Sequence, residues 1–182
     1  MNRVALTFIG KDQPGIIAEV CRILFKAGCN IEDTTMTLLE NEFAMILIAD
    51  IPSARQEAQL KNSFGLLKKK WGLDCFSKKV TSHVKRGDKH LPGATTCVVS
   101  VAGKDRTGIV YETSRVLAQH GLNITDLNSK ILGKKGKEIF MMFLEVDIPK
   151  HFNPKRLDSA WRNIEKRLGV EIKIRPLESL TL

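Results

Sequence analysis

Apolar and polar residues alternate at Val4, Leu6 and Phe8, and again at Cys97, Val99 and Val101, which is the two-residue period of a β-strand. The spacing then widens. Ile16, Val20, Ile23 and Ala27 lie four, three and four residues apart, on one face of a helix, and Ile109, Thr113, Val116 and His120 repeat the spacing. The usual start and stop signals place Pro14 in the first turn of that helix and Gly28 at its C-terminal end. Two strand-like segments follow, 31–39 and 43–51, with a turn at Glu40 and Asn41. A second helix starts at Ser53, where Gln56 completes a capping box; its counterpart starts at Asn153-Pro154. The stripe Leu60, Phe64, Leu67 and Trp71 matches Leu157, Trp161, Ile164 and Leu168, and last strands are expected at 73–80 and 170–177.

These correspondences make an internal repeat. With a shift of 93, Gly10-Lys11-Asp12-Gln13-Pro14-Gly15-Ile16 falls on Gly103-Lys104-Asp105-Arg106-Thr107-Gly108-Ile109, and 12 of the 24 positions from Gly10 to Asp33 are identical. Further on the shift becomes 97, so the second copy holds four extra residues near Gly133-Lys134-Lys135-Gly136, read as a longer hairpin turn. Each copy has the order βαββαβ, which predicts an α+β fold: two tandem ferredoxin-like domains, each an antiparallel sheet with its helices on one face. The expected boundaries are 1–82 and 94–182, with 83–93, containing Gly87, Pro92 and Gly93, as the linker.

Composition changes this picture little. Of 182 residues, 43% are hydrophobic and 27% charged, so a packed soluble chain is expected. No apolar stretch approaches the roughly 20 residues that cross a bilayer, and no export signal is visible. A cytoplasmic protein with no membrane partner is expected. The formal charge is +9, and 68–89 alone carries eight Lys/Arg against two Asp. Such a run can attract nucleic acid, although a solvated helix end and linker explain it as well. Cys21, Cys29, Cys75 and Cys97 lack zinc-site or dithiol spacing, so reduced structural thiols and no metal are expected.

Three features could carry chemistry. The loop from Gly10 to Gly15 opens into a helix, so its backbone N–H groups and the helix dipole suit a carboxylate; its glycines suit a tight turn equally. Asn30 and Asn123 each enter a strand, offering an amide donor and a carbonyl acceptor, or simply making a turn. Asp12/Asp105 and Asp33/Asp126 recur, but no nucleophile elbow, zinc-protease motif or repeated histidine accompanies them. His120 stands where the first copy has Ala27 and is expected to pack. No catalytic residue is identified, and neither enzyme activity nor a cofactor is expected.

The segments Gly-Lys-Asp-Gln-Pro-Gly-Ile-Ile and Gly-Cys-Asn-Ile-Glu-Asp, with Gly-Lys-Asp-Arg-Thr-Gly-Ile-Val and Gly-Leu-Asn-Ile-Thr-Asp in the second copy, resemble the ACT domain of amino-acid-sensing proteins. A stand-alone tandem of two is similar to the glycine cleavage system transcriptional repressor family. The resemblance implies domains that pair side by side and hold a small amino acid at the seam. Carried over by position, it implicates Asp12, Gln13, Pro14, Gly15, Ile16, Asn30 and Ile31 in the first copy. In the second it implicates Asp105, Arg106, Thr107, Gly108, Ile109, Asn123 and Ile124. Thr107 stands where the family commonly has proline.

The resemblance thus implies a non-enzymatic, allosteric regulator of transcription that binds an amino acid, with glycine or serine as candidates. It would act through a regulatory protein such as a transcription factor, as a homo-oligomer, with no direct nucleic-acid contact. The alternative is a nucleic-acid-binding ferredoxin-like protein that uses its basic surface. RNA-recognition modules share the βαββαβ order, but the third strands here, Phe43-Ala-Met-Ile-Leu-Ile and Ile139-Phe-Met-Met-Phe-Leu, lack their signature, and aromatics are 6% of the chain.

Overall fold

The strand alternation at Val4, Leu6 and Phe8 becomes β1 (Asn2–Lys11), which lies inside a four-stranded sheet of order β2-β3-β1-β4. Its neighbours β3 (Glu42–Ile51) and β4 (Asp74–Lys79) both run antiparallel to it, and β2 (Asn30–Leu39) pairs antiparallel with β3 as one edge. Helices α1 (Ile16–Lys26) and α2 (Ala54–Trp71) cover one face. The computed structural model describes residues 2–81, 89–134 and 136–177. They fall into two compact units divided between Gly87 and Asp88.

The second unit repeats the plan with β5 (Ala94–Lys104), α3 (Ile109–Gln119), β6 (Asn123–Leu132), β7 (Ile139–Pro149), α4 (Asp158–Leu168) and β8 (Val170–Pro176). Its sheet order is β6-β7-β5-β8. Each unit has its own core. Val4, Leu6, Phe8, Ile16, Val20, Leu24, Leu47, Leu60 and Leu67 close the first, where Phe8 and Phe64 meet edge-on at 5.5 Å. Val99, Val101, Ile109, Val116, Leu117, Leu144, Leu157, Trp161 and Ile164 close the second. Full burial of each such side chain contributes about 1.5–3 kcal/mol. The Nε1 of Trp161, which stands where the first unit has Phe64, is buried with no hydrogen-bond partner among the described residues.

The structure moves several local expectations. Pro14 lies outside α1, because Gly15 precedes the helix in a left-handed conformation (φ 96°) that helical geometry does not allow. Leu24, not Ala27, completes the buried stripe of α1, and Leu117 does so in α3. His120 packs as expected, edge-on to Phe152 at 6.0 Å, with Nδ1 2.9 Å from the carbonyl of Val116. Ser53 caps α2 by accepting from the N–H of Arg55 at 3.2 Å, while its hydroxyl donates to the Gln56 side chain. Gln56 thus meets the serine side chain rather than its backbone. Asn153 accepts from the N–H of Lys155 at 3.0 Å, and a 3-10 turn, Pro154–Leu157, intervenes before α4.

Most of the expected linker, residues 83–88, lies outside the described residues, as does Lys135 in the long hairpin. Residues 89–91 are fastened to β7. Lys89 pairs with Glu145 at 2.6 Å, and the fully buried Asp147 holds His90 Nδ1 at 2.8 Å and the N–H of Leu91 at 2.7 Å. No helix among the described residues is long and apolar enough to cross a membrane.

Candidate functional site

The loop between β1 and α1 is shaped by two glycines with different duties. A Cβ on Gly10 would stand 2.7 Å from the carbonyl of Gly72, and one on Gly103 would stand 2.6 Å from that of Gly169, so both exist for close backbone approach. Gly15 and Gly108 instead supply the left-handed turn, at φ 96° and 99°, that starts each helix. The two caps therefore share one backbone conformation although Thr107 replaces Pro14.

In α1 the first N–H to bond back along the helix is that of Glu19, to the carbonyl of Gly15 at 2.9 Å. The amides of Ile16, Ile17 and Ala18 have no partner within the helix and face the positive end of its dipole. Glu112 and Gly108 repeat the arrangement at 2.9 Å. This end of each unit can hold an anion such as an amino-acid carboxylate. The acidic groups in the first turn of each helix are already engaged. Glu19 accepts from Arg22 at 2.6 and 2.7 Å, and Glu112 accepts from Arg115 and pairs with Arg167, each at 2.7 Å. The hydrogen bond from Arg22 holds the Glu19 carboxyl below its ordinary value, and that from Arg115 does the same for Glu112.

Asp12, Gln13, Pro14 and Gly15 sit together and exposed at one end of the first sheet, and Asp105, Arg106 and Thr107 lie exposed at the same end of the second, beside half-buried Gly108. Ile16 and Ile109 are only 2% exposed and can offer a ligand their backbone alone. Gln13 donates to the carbonyl of Trp71 at 2.9 Å, and the Trp71 ring lies against Gly15, so the first loop is buttressed by the end of α2. Neither contact was legible beforehand, since Trp71 stood out only as the last member of a core stripe.

The asparagines lie elsewhere. Asn30 pairs with Asp50, which stands opposite Arg3, whereas the loop follows Lys11, opposite Glu42. The two rows are eight residues apart along β1, about 27 Å. Asn123, opposite Asp147 and Thr96, stands as far from Asp105. Within one unit, then, loop and asparagine do not meet. Ile31 and Ile124 pack against their cores, and the ladder slips just after each, between Ile31 and Asp33 and between Ile124 and Asp126. Such bulges re-aim a strand end.

The remaining reactive groups are subdued. Burial pushes the Cys75 thiol up to about 12 and raises those of Cys29 and Cys97, so they are protonated, weak nucleophiles at neutral pH. Among the described residues no group of three or more His, Cys, Asp or Glu is placed to hold a metal ion. In the basic run, Lys68, Lys69 and Lys70 form the last turn of α2, where cations complement the helix dipole, and Lys68 also pairs with Asp74 at 2.6 Å.

Comparison with known proteins adds to this geometry. A family model described as ACT domain matches residues 2–78, and another of the same description matches residues 98–150. The chain is 26% identical over 163 residues to the glycine cleavage system transcriptional repressor of Escherichia coli, covering 90% of this chain and 80% of that one. It is 40% identical over 55 residues to a UPF0237 protein of Methanocaldococcus jannaschii, a match covering 30% of this chain and 61% of that one. The chain thus spans about six tenths of that relative's length. Among solved structures, an unknown protein from Galdieria sulphuraria matches with a TM-score of 0.77 at 22% identity, covering 97% of this chain and 99% of that one. A protein provisionally described as a glycine cleavage system transcriptional repressor matches at 0.69 and 22%, covering 98% of each chain. These two likenesses show the shared fold.

Proposed function

Since the chain belongs to the ACT-domain family and carries two such domains in tandem, we propose that it is a non-enzymatic regulatory protein that binds a small amino acid, with glycine or serine as ligand. Each site joins the β1–α1 type loop of one domain copy to the asparagine of another. The observation that carries this reading is the separation of Asn30 from Asp12 along the same sheet, and of Asn123 from Asp105. Edge strand β2 offers its unpaired side to a second strand, and antiparallel pairing of two such edges sets the end of one domain against the start of the other. The border carries exposed apolar side chains, Ile17 and Phe25 on α1 and Met36 and Leu38 on β2, all more than 40% exposed, among exposed Asp33, Thr34, Thr35 and Thr37. Val110 and Leu127 stand at the corresponding edge of the second unit.

In that seam the loop amides take the ligand carboxylate, and the asparagine side chain bonds its polar remainder. Binding favours the paired arrangement by differential affinity, which is how the ligand would bias contact with a partner. The name of the E. coli relative supports transcription as the controlled process, and the proposal takes a transcription factor as the partner. The test is a thermal-shift screen of the full chain against the twenty common amino acids. Glycine or serine raises the midpoint, and silence of both contradicts the reading.

A further inference from the structure

From Glu42 to Ile51 and from Ile139 to Ile148, strands β3 and β7 share the same alternation of buried and accessible side chains except at one pair. Asp50 is half-buried, whereas its counterpart Asp147 is fully buried. Phe140, Met142, Leu144, Val146 and Ile148 belong to the core, so Asp147 lies on the sheet face that the helices leave open, where a carboxylate is ordinarily solvated.

What covers it is the stretch just before β5. His90 Nδ1 and the N–H of Leu91 meet one carboxylate oxygen each, and Thr96 Oγ1, opposite Asp147 in the sheet, lies 3.3 Å from the same ring nitrogen. The hydrogen bond to Glu145, with Asp126 and Asp147 close by, holds the Lys89 ammonium above its ordinary value. These contacts are polar, and the one large apolar side chain of the stretch, Leu91, is 50% exposed. A turn follows at Gly93, left-handed at φ 76°, where the N–H of Ala94 returns to the carbonyl of Leu91 at 3.1 Å. A segment held in this way opens with little loss of buried apolar surface.

The other neighbour of Asp147 is Asn123. The two stand opposite each other in the first rung of the β6–β7 ladder, and the slip between Ile124 and Asp126 leaves two rungs on that side of the bulge. Thr96, Asp147 and Asn123 therefore form one row across the sheet, gripped at its middle member. In the first unit Asp50 stands in the same way between Arg3 and Asn30, and no such stretch reaches it among the described residues.

We propose that residues 89–91 are a strap, with Asp147 as its catch, which opens and closes over this end of the second sheet and sets how firmly Asn123 is held. Closed, the strap fixes Asp147 and with it the two-rung end of β6; open, it lets that end fray. Asp147 is thereby a positioning residue for the asparagine of the second unit alone. The consequence for binding rests on the seam reading: a ligand bonded to Asn123 favours the closed strap, and an opened strap weakens the second seam site.

The test is hydrogen exchange of the full chain, read by NMR and first without any amino acid. His90→Ala and Asp147→Ala are expected to speed exchange of the Leu91 N–H at least about tenfold, together with the ladder amides at the start of β6. The amides of β6 beyond the bulge and those at the start of β2 keep their wild-type rates, which separates strap opening from general destabilisation, and Asp50→Ala leaves Leu91 unchanged. The proposal is overturned if Leu91 exchanges as freely in the wild type as in the two variants, or if they release Leu91 and leave the start of β6 unaltered. Both readings are taken without ligand, so they decide the strap even where neither glycine nor serine binds, an outcome that overturns the seam reading. Where one of them binds, it slows Leu91 exchange in the wild type and in Asn30→Ala; equal slowing in Asn123→Ala overturns the coupling.

Discussion

Asp12 and Asn30 stand at opposite ends of one sheet, about 27 Å apart along β1, although the sequence joins them by a single helix. An 11-residue helix runs about 16 Å and returns the chain along the face of the sheet, so loop and asparagine cannot share a ligand within one domain. A binding site that uses both has to be assembled from two domain copies.

That assembly depends on the exposed edge. Phe25→Asp and Met36→Lys each place a charge on the apolar border of the first unit, at positions 81% and 45% exposed, where the isolated fold loses little. Sedimentation velocity is expected to show weaker self-association in both variants with unchanged circular dichroism. Unaltered association would separate the edge from pairing.

The two duties of glycine predict different costs. Gly103→Ala drives a Cβ to 2.6 Å from the carbonyl of Gly169 and 2.7 Å from the Cα of Val170, both backbone atoms that cannot rotate away. A loss of about 1–3 kcal/mol in urea unfolding is expected. Gly108→Ala meets no atom within 4 Å, so only its φ of 99° opposes the methyl group, and a loss of about 1 kcal/mol is expected.

Trp161 predicts an asymmetry of another kind. Its buried Nε1–H has no partner among the described residues, and the first unit accepts Phe64 at the same place. Trp161→Phe removes the unpartnered donor and offsets the lost packing, leaving stability within about 1 kcal/mol of wild type. Trp161→Ala opens a cavity and costs about 3–5 kcal/mol. Chemical unfolding of the two variants checks the contrast.

Acid sensitivity follows from Glu19 and Glu112. The hydrogen bonds from Arg22 and Arg115 lower both carboxyls from 4.5, so their contribution is complete above that pH and is lost as pH falls through the lowered values. Glu19→Gln/Glu112→Gln is expected to lose stability at pH 7 and to show a shallower decline below pH 4.5 than the wild type. Parallel declines would contradict it.

The periods at Val4, Leu6, Phe8 and at Ile16, Val20, Ile23, with the caps and stripes of the second helices, make the βαββαβ order of both repeats legible, because a packed face imposes its spacing on the chain; the 3-10 turn Pro154–Leu157 is not legible there. What escaped was set by long-range contact. Pro14 looks like a first-turn residue until the backbone of Gly15 is known, and Ser53 with Gln56 looks like a full capping box until the rotamers are known. The fastening of His90 and Leu91 by Asp147 depends on a pairing 56 residues distant, in a stretch whose glycines and proline otherwise mark a linker. The candidate site was legible as a set of residue types. That Asn30 lies away from Asp12 follows from α1, which returns the chain so that β1 and β2 run parallel, both antiparallel to β3.

The central claim is most directly tested by calorimetric titration of glycine and serine into the full chain and into Asn30→Ala/Asn123→Ala. The account predicts that one of the two binds the wild type and that the variant loses at least about tenfold in affinity, although both asparagines stand about 27 Å from the loop of their own domain. Undiminished binding by the variant, or no binding by the wild type, would contradict a site made from a loop and an asparagine of different domains.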